Sequence, residues 1–361
     1  MTERLRVAVV GGGIGTLHID AFRNLPELFE VAAFCDIDPA RAEEIGARYG
    51  IGNVVTSFET LLARDDIDIV DLCTPSNLHA AQSRTALEAG RHVICEKPLA
   101  GSLAEVDALA ELAEATGRHL SPIFQYRFGN GFQKLLHLRD KGVLGKTYLA
   151  TVETHWRRGP DYYTAPWRGR LATELGGCLV THAIHAHDLL AHALGPIRSV
   201  HARTATRVNP IETEDCAVVS LELADGALAA LSVTLGAAVE HSRLRFYFEK
   251  VTVESNLAPY HPQAEPWRFE TANAAALAEI EAALADFAPA LEHYEGQFSR
   301  LHAALTEGGP PPVSIADSRA SIELLTAAYH SARTGASETL PIGREHPYYH
   351  GWRPGEVAPD G

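Results

Sequence analysis

The chain has 361 residues, of which 46% are hydrophobic and 21% are charged, and its formal net charge is −15. This length is too great for one ordinary domain, and the composition is that of a globular protein rather than a disordered or fibrous one. Because so acidic a surface repels phosphate backbones and anionic lipids, nucleic acids and membrane surfaces are excluded as expected partners.

The five cysteines are scattered, with no C-x-x-C pair among them. We interpret them as small buried hydrophobic side chains in a reducing compartment. The first residues lead into a predicted strand without a signal peptide, and no apolar stretch is long enough to span a bilayer. A cytoplasmic location is therefore expected.

Short apolar strands alternate with helices through the first third of the chain. The predicted strands are 5–10, 30–36, 67–72, 92–95 and 120–124, and the predicted helices are 16–24, one from Pro39, 79–89 and 103–116. This alternation is typical of an α/β domain with a doubly wound parallel sheet, which binds ligands at the carboxyl ends of its strands. We expect this domain to cover residues 1–125.

The pattern changes after about residue 125. A helix is predicted at 128–140, strands at 147–155, 197–206, 216–223, 228–235, 243–248 and 251–255, and further helices at 274–305 and 316–334. Strands of alternating polarity separated by turns indicate a largely antiparallel sheet with one covered face. We expect a second domain of the α+β class over residues 126–361, with the helix at 316–334 packing back on the first domain.

A glycine-rich loop connects the first predicted strand to the first helix. Gly11, Gly13 and Gly15 allow a pyrophosphate to approach the backbone at a helix N-terminus, although their spacing departs from G-x-G-x-x-G. Asp36 follows the second strand about 20 residues later, where an acid accepts hydrogen bonds from the adenosine ribose. The loop and the acid together predict a dinucleotide. Asp36 favours NAD because a carboxylate repels a 2′-phosphate, but the nearby Arg41 leaves NADP as an alternative. The structural alternative for Asp36 is that its side chain caps the following helix.

Five segments occur in an order that resembles a known family. They are the glycine loop, CDIDPARAEEIGARYG, DLCTPSNLHAAQSRTALEAG, HVICEKPLA, and WRG followed by GGCLVTHAIHAHDLL. Together they resemble the glucose–fructose oxidoreductase/inositol dehydrogenase (Gfo/Idh/MocA) family over nearly the whole chain. The resemblance implies an N-terminal Rossmann domain, a C-terminal α+β domain built on an open, mostly antiparallel sheet, and an active site in the cleft between them. It also implies a homodimer or homotetramer packed through the open sheet face.

The resemblance maps the family's catalytic residues onto Lys97, His185 and Asp188. Lys97 ends a predicted strand, where its donors can hold the reacting hydroxyl, and a cis peptide bond is expected before Pro98. His185 has an unperturbed pKa near ~6.5, which suits it to accept the hydroxyl proton, with Asp188 or a backbone group orienting its ring. Where the family usually has an acid, four residues before the histidine, this chain has Thr181. On one helix Thr181, His185 and Asp188 would share a face.

Further residues are assigned to cofactor and substrate from their positions at strand ends and in the matching segments. The expected cofactor contacts are Gly11, Gly13, Ile14, Gly15, Asp36, Thr74, Pro75, Asn77, His79, Glu96 and Lys97. The expected substrate contacts are Lys97, Tyr126, Arg127, Trp156, Tyr163, Trp167, Arg168, Thr181, His182 and His185. Aromatic rings stack on the C–H faces of sugars and arginines hold carboxylates, which suits a polyol or a sugar acid, and core packing is the alternative for each aromatic.

Histidines also occur outside these assignments. His187 and His192 are interpreted as packed or surface residues, and His18 as a structural residue of the first helix. Although His182, His185, His187 and His192 permit a shared metal by their spacing, the usual third ligand is not obvious and no metal is expected.

The sequence therefore predicts an NAD(P)-dependent dehydrogenase or reductase acting on a secondary hydroxyl of a sugar, glycoside, inositol or related polyol. One alternative is a redox-neutral glycosidase or lyase that oxidises its substrate transiently with tightly bound NAD. Accumulation of NADH separates the two. The other alternative is a non-catalytic NAD-sensing protein, against which Lys97, His185 and Asp188 argue.

Overall fold

The computed structural model of the protein describes residues 4–353, which divide into two compact units. The first unit comprises residues 4–123 and 294–319, and the second comprises 124–293 and 320–353. The sequence analysis expected two continuous domains that meet at residue 125. The structure differs in that the later segment, 294–319, belongs to the first unit.

The first unit contains a parallel sheet with helices packed on it. Its strands are β1 (Leu5–Val10), β2 (Phe29–Cys35), β3 (Val54–Val55), β4 (Ile69–Leu72), β5 (His92–Cys95) and β6 (Leu120–Pro122). Its helices are α1 (Gly15–Arg23), α2 (Pro39–Tyr49), α3 (Phe58–Leu62), α4 (His79–Glu88), α5 (Leu103–Thr116) and, much later in the chain, α11 (His293–Glu307). The strand order β3-β2-β1-β4-β5-β6, with every pair parallel, confirms the predicted doubly wound fold.

Local chemistry explains where these helices begin and end. The Asp38 carboxylate accepts hydrogen bonds from the amides of Ala40 and Arg41 and so caps α2, which stops at Gly50 in the left-handed conformation. Helix α5 begins and ends in the same way: the Ser102 hydroxyl caps its first turn, and it stops at Gly117 in the left-handed conformation. Such signals lie within a few residues of each helix, which is why the sequence placed both helices well.

Helix α11 completes the core of the first unit. The Phe298 side chain is fully buried, and its ring stacks on Phe22 of α1 with centroids 4.3 Å apart and planes 7° from parallel. Phe22 in turn meets the ring of Phe29 edge-on. The contact between Phe298 and Phe22 joins residues 276 positions apart (298 − 22), and no local pattern predicts it.

The second unit contains a mixed sheet of eight strands. They are β7 (Thr147–Arg157), β8 (Ile197–Ala205), β9 (Cys216–Leu223), β10 (Leu228–Thr234), β11 (Gly236–Phe248), β12 (Thr252–Glu254), β13 (Arg268–Glu270) and β14 (Glu338–Thr339). Its helices are α6 (Asn130–Asp140), α7 (Leu171–Glu174), α8 (Cys178–Thr181), α9 (Ile184–Leu194), α10 (Ala274–Ala285) and the larger part of α12 (Ile315–Thr334). In the order β13-β12-β11-β7-β10-β9-β8-β14 only β10 and β7 pair in parallel, so the predicted, mostly antiparallel sheet is confirmed.

One face of this sheet is covered and the other is open within the unit. On β7, Val152 and Thr154 are buried on the side where α9 packs. Glu153 and His155, which alternate with them along the strand, are partly exposed on the other side. The alternation follows from the period of two along a strand. We call the partly exposed side the open face.

Two predictions about helices are wrong. The single helix predicted over 274–305 is interrupted between α10 and α11, where Pro289 has no amide hydrogen to donate and restricts the residue before it. Thr181 does not share a helix with His185, because α8 ends at Thr181 and α9 begins at Ile184. The Thr181 hydroxyl donates to the Gly177 carbonyl at 2.7 Å, a local bond of the kind that bends helices.

The cysteines and the hydropathy agree with the sequence analysis. All five cysteines are free, and four of them are buried. Within residues 4–353, every helix is too short or too polar to cross a bilayer.

Truncating the Phe298 side chain tests how far α11 stabilises the first unit. Phe298→Ala should lower the free energy of unfolding by about 3–5 kcal/mol, because it leaves a cavity against Phe22. The exposed Glu307 at the end of the same helix serves as the control, and Glu307→Ala should stay within about 0.5 kcal/mol of the wild type. Urea unfolding followed by circular dichroism measures both, and equal stabilities would contradict the assignment.

Candidate active site

The glycine loop of the first unit leaves backbone amides open at the start of α1. Gly11 has a φ of +99°, and a Cβ there would lie 2.6 Å from the Cys73 carbonyl oxygen, so only glycine fits. Gly13 and Ile14 are exposed, and their amides donate to no acceptor anywhere in residues 4–353. Free amides at a helix N-terminus form a binding site for an anion such as a pyrophosphate.

Asp36 ties this loop to the end of β2. Its Oδ2 accepts a hydrogen bond from the Gly12 amide at 2.8 Å, and its Oδ1 accepts one from the Asp38 amide at 2.9 Å. Arg41 lies 3.6 Å from the same Oδ2, and half of its side chain is exposed. Since Asp38 is the residue that caps α2, the alternative interpretation of Asp36 as that cap is wrong.

The segments after β4 and β5 are joined through His79. Its buried ring lies 2.7 Å from the Pro98 carbonyl oxygen and 2.8 Å from that of Thr74. Pro75 and Asn77 stand exposed on the turn between β4 and α4. The peptide bond between Lys97 and Pro98 is cis, as expected.

A buried ionic bridge that was not predicted from the sequence is centred on His18. The fully buried ring lies 2.9 Å from Asp71 Oδ2 through Nδ1 and 3.2 Å from Glu96 Oε1 through Nε2. Burial alone disfavours the charged ring, but the Asp71 carboxylate and the Cys73 sulfur outweigh it and raise the pKa of His18 well above 6.5. Because ionised carboxylates only accept hydrogen bonds, an imidazolium that donates from both nitrogens fits this position.

The bridge extends to the candidate catalytic lysine. Glu96 Oε2 accepts a hydrogen bond from the Lys97 amide at 3.0 Å, and Glu96 Oε1 accepts one from the Tyr294 hydroxyl at 3.2 Å. His18 is thus structural, as expected, and it connects the helix that follows the glycine loop to the backbone of Lys97. A histidine in the first turns of that helix was the available signal, but its two carboxylate partners come from distant strands.

In the second unit, Asp188 of α9 is held by Arg127. The guanidinium donates from Nε at 2.7 Å and from Nη2 at 2.5 Å, one bond to each carboxylate oxygen, and both side chains are at least 95% buried. Such a two-bonded pair is strong and directional. The structure therefore brings together a residue expected to orient His185 and one expected to contact the substrate.

The His185 ring lies within an aromatic frame. It stacks on Tyr126 with centroids 4.6 Å apart, and it meets Phe124 edge-on at 6.2 Å. Burial raises the pKa of the Tyr126 phenol, which keeps it protonated. His187 on the same helix is also buried, and burial lowers its pKa to about 3, so its ring is neutral.

Beside this frame, aromatic rings and arginines form a second cluster. The Arg158 guanidinium lies over the rings of Trp156, Tyr162 and Tyr260, at 5.0–5.5 Å from their centroids. The His182 ring packs edge-on against Trp156 at 5.5 Å. Sequence reasoning missed Arg158 and Tyr260, because Tyr260 comes from a segment that matches no motif.

Arg168 and its neighbours form the other end of this cluster. Its guanidinium lies 3.9 Å from the ring centroid of Tyr162 and 4.1 Å from that of Trp167. It also pairs with Glu174 at 3.3 Å. Tyr163 packs at right angles to Tyr162. Flat rings of this kind offer stacking surfaces for a sugar.

A buried carboxylate supports the chain just before α9. Glu214 accepts hydrogen bonds from the amides of Gly177 and Leu179 at 2.9 and 3.1 Å and from the Tyr329 hydroxyl at 2.8 Å. Burial raises the pKa of Glu214 to about 7. A Cβ on Gly177 would lie 1.9 Å from the Glu214 carbonyl oxygen, so glycine is required there.

Comparison with known proteins identifies the class of protein to which this chain belongs. The model of the oxidoreductase family with an NAD-binding Rossmann fold matches residues 5–124, and the GFO/IDH/MocA C-terminal domain matches residues 132–254. The protein is accordingly an NAD(P)-dependent oxidoreductase that acts on alcohol groups, with NAD as its cofactor. It belongs to the Gfo/Idh/MocA family.

Relatives and solved structures are similar along nearly the whole chain. D-glucoside 3-dehydrogenase of Escherichia coli is 26% identical over 360 residues, which are 93% of this chain and 97% of the relative. The WlbA dehydrogenase from Bordetella pertussis, in complex with NADH and UDP-GlcNAcA, is 28% identical with a TM-score of 0.84, covering 94% of this chain and 100% of that one. The WlbA dehydrogenase from Chromobacterium violaceum is 30% identical with a TM-score of 0.83, covering 95% and 98%.

Removing the central histidine of the buried bridge should destabilise the protein. His18→Gln leaves two buried carboxylates without their counter-charge, which costs about 3–5 kcal/mol of unfolding free energy. Because the pKa of His18 is raised on folding, its contribution is complete below about pH 6.5 and is lost as the pH rises through the raised value. Urea unfolding across that range should show the gap between variant and wild type narrowing with rising pH.

The control is Leu17→Ala, a change at an exposed neighbour on the same helix that should alter stability by no more than about 0.5 kcal/mol. A gap between His18→Gln and the wild type that is small at every pH would show that the bridge is not ionic.

Proposed function

We propose that the protein is a dehydrogenase or reductase that moves a hydride between NAD and a secondary hydroxyl of a sugar, glycoside, inositol or related polyol. The observation that carries this proposal lies in the first unit. The amides of Gly13 and Ile14 before α1 are available to a ligand, and Lys97 after β5 is held by the bond from its own amide to Glu96. Both lie at the carboxyl edge of one parallel sheet, which is where such sheets bind their ligands.

The first unit fits the dinucleotide. We assign the pyrophosphate to the amides of Gly13 and Ile14 and the adenosine ribose to Asp36, whose carboxylate is already held in place by the loop. NAD is the preferred form because Asp36 would repel a 2′-phosphate. When bound, the nicotinamide supplies the hydride chemistry, and the protein supplies position and electrostatics.

Lys97 and His185 are assigned to the reacting hydroxyl. The Lys97 ammonium would donate a hydrogen bond to the hydroxyl oxygen and thereby lower the pKa of the hydroxyl. His185 would accept the departing proton, with its ring held by Tyr126. The ion pair between Asp188 and Arg127 would hold α9 and its histidine against the turn Gln125–Phe128.

The aromatic and arginine cluster of the second unit supports a sugar-like substrate. Trp156, Trp167 and Arg168 provide stacking surfaces and donors suited to a ring that bears hydroxyl or carboxylate groups. Two similar proteins point the same way by name, one as a D-glucoside dehydrogenase and one bound to UDP-GlcNAcA. With Thr181 in place of the family's usual acid, this substrate would meet a hydroxyl where relatives present a charge.

We also propose that the chain forms a homodimer or homotetramer through the open face of the second unit. Val218 and Leu228 on that face are 60% and 55% exposed. Leu228 also lies beside the exposed Leu149 of β7, and adjoining exposed apolar side chains are characteristic of a protein–protein contact.

Cofactor binding tests the assignment of Asp36. Asp36→Ala should weaken NAD binding about 10- to 100-fold, the value of a lost hydrogen bond to a charged group, and should narrow the preference for NAD over NADP. Asp38→Ala is the matched control, because it removes the cap of α2, at a cost near ~1 kcal/mol of stability, without touching the glycine loop. Calorimetric titration measures both, and an unchanged NAD affinity in Asp36→Ala would make Asp36 purely structural.

Turnover tests the assignment of Lys97 and His185. The wild type should reduce NAD in the presence of some members of a panel of sugars, glycosides, inositols and sugar acids, seen as NADH absorbance. Lys97→Met and His185→Asn should each lower turnover about 10²- to 10⁴-fold while NAD affinity stays close to the wild type. The control Lys146→Met removes an exposed lysine elsewhere on the chain.

Retained turnover in Lys97→Met would sink the assignment of the lysine. If substrate were consumed, by mass spectrometry, without any accumulation of NADH, the reaction would instead be a redox-neutral lysis with bound NAD.

A further inference from the structure

We propose that the open face of the second unit's sheet binds a divalent transition-metal ion of the zinc class, ligated by Glu153, His155 and His241. We call these residues the cross-strand cluster. None of them belongs to the cofactor or substrate sets assigned above, so this inference is independent of the proposed hydride chemistry.

Strand geometry brings the three side chains together. Glu153 and His155 are two residues apart on β7 and therefore project from the same face. His241 lies directly opposite His155 on the antiparallel strand β11. Two residues on one strand and the opposing residue on its neighbour thus offer three donors to one point above the sheet.

The distances suit a small ion after minor side-chain movement. One donor atom from each residue lies within 4.8 Å of the others, and His241 Nε2 is 3.0 Å from Glu153 Oε2. A tetrahedral ion with bonds of about 2.0 Å needs its ligands roughly 3.3 Å apart. Within a single chain, the side chains of Glu153 and His241 are 28% and 30% exposed, which leaves them room to close that difference.

The donor chemistry selects the class of ion. Two imidazoles with one carboxylate form the ligand set of zinc sites that keep a fourth position for water, and the absence of sulfur from the three disfavours softer ions. A ring nitrogen of His155 lies 2.9 Å from the Ser232 hydroxyl, a second contact of the kind that orients ligating histidines.

The positive charge beside the cross-strand cluster is partly offset by one carboxylate. Arg243 stands opposite Glu153 in the sheet, but its guanidinium pairs with Glu254 at 2.6 Å. Glu254 also pairs with Arg268 at 2.9 Å. Arg245 lies 3.8 Å from the same carboxylate, so Glu254 offsets only part of the positive charge of these arginines.

Two other groups of possible ligands occur in residues 4–353, and both are explained without an ion. His18 is doubly engaged by carboxylates as an imidazolium, which has no lone pair to offer a metal. In the other group, His330 and His346 each face one oxygen of Glu338, at 2.7 and 3.3 Å. Each oxygen of that carboxylate already has an imidazole as its partner.

Cobalt titration tests the proposal, because Co²⁺ takes the geometry of zinc and absorbs visibly when tetrahedral. Full-length protein, first stripped with a chelator, is titrated with Co²⁺ alone. We expect one equivalent to bind with the intense visible bands of a tetrahedral site, and Zn²⁺ to abolish those bands by displacement. Absence of such bands would overturn the proposal.

Paired variants locate the ion. His241→Ala and Glu153→Gln should each weaken Co²⁺ binding more than about 100-fold. Losing a residue that only orients a ligand typically weakens metal binding about 10- to 100-fold, and these two variants lose a ligand itself. Two controls should bind as the wild type does: His201→Ala, on the same sheet but outside the cluster, and His346→Ala, in the group around Glu338. NAD affinity should be unchanged in all four, which shows that they fold.

Undiminished Co²⁺ binding in His241→Ala would overturn the proposal, as would loss of binding in either control with retention in both cluster variants.

Discussion

The buried bridge of Asp71, His18 and Glu96 is the interaction on which the first unit's candidate site depends. An imidazolium between two carboxylates is costly to bury alone, but each charge here meets its opposite at hydrogen-bond distance. Because His18 belongs to α1 and Glu96 accepts from the Lys97 amide, one ionic contact holds the helix after the glycine loop and the candidate catalytic lysine. Tyr294 connects the same bridge to α11.

The second unit uses buried carboxylates in a comparable way. Asp188 binds α9 to Arg127, and Glu214 receives the amides just before that helix. Both carboxylates accept hydrogen bonds from other parts of the chain. The helix that carries His185 is therefore held within its length through Asp188, and the segment before it is held through Gly177 and Leu179. Such support suits the proton-accepting role proposed for His185, since small shifts of a catalytic group are costly to turnover.

Much of the fold could be predicted because its signals are local. Apolar strands alternating with capped helices predicted the parallel sheet, and alternating polarity predicted the mostly antiparallel one. Pro289 is also a local signal, for a break in the helix, but the alanine-rich sequence before it favoured one continuous helix. The interruption after Thr181 was harder to foresee, because it depends on a side-chain bond to Gly177 that competes with the helix.

The sequence by itself determined the family and the glycine loop with Asp36 after the second strand, and it made Lys97 and His185 the catalytic candidates, because each is a pattern of neighbouring residues. Only the tertiary structure decided which charges meet. The pairing of Asp188 with Arg127, the placement of Tyr260 over Arg158 and the packing of Phe298 on Phe22 all join segments far apart in the chain. Such contacts depend on the whole packed core, and no spacing along the sequence encodes them individually.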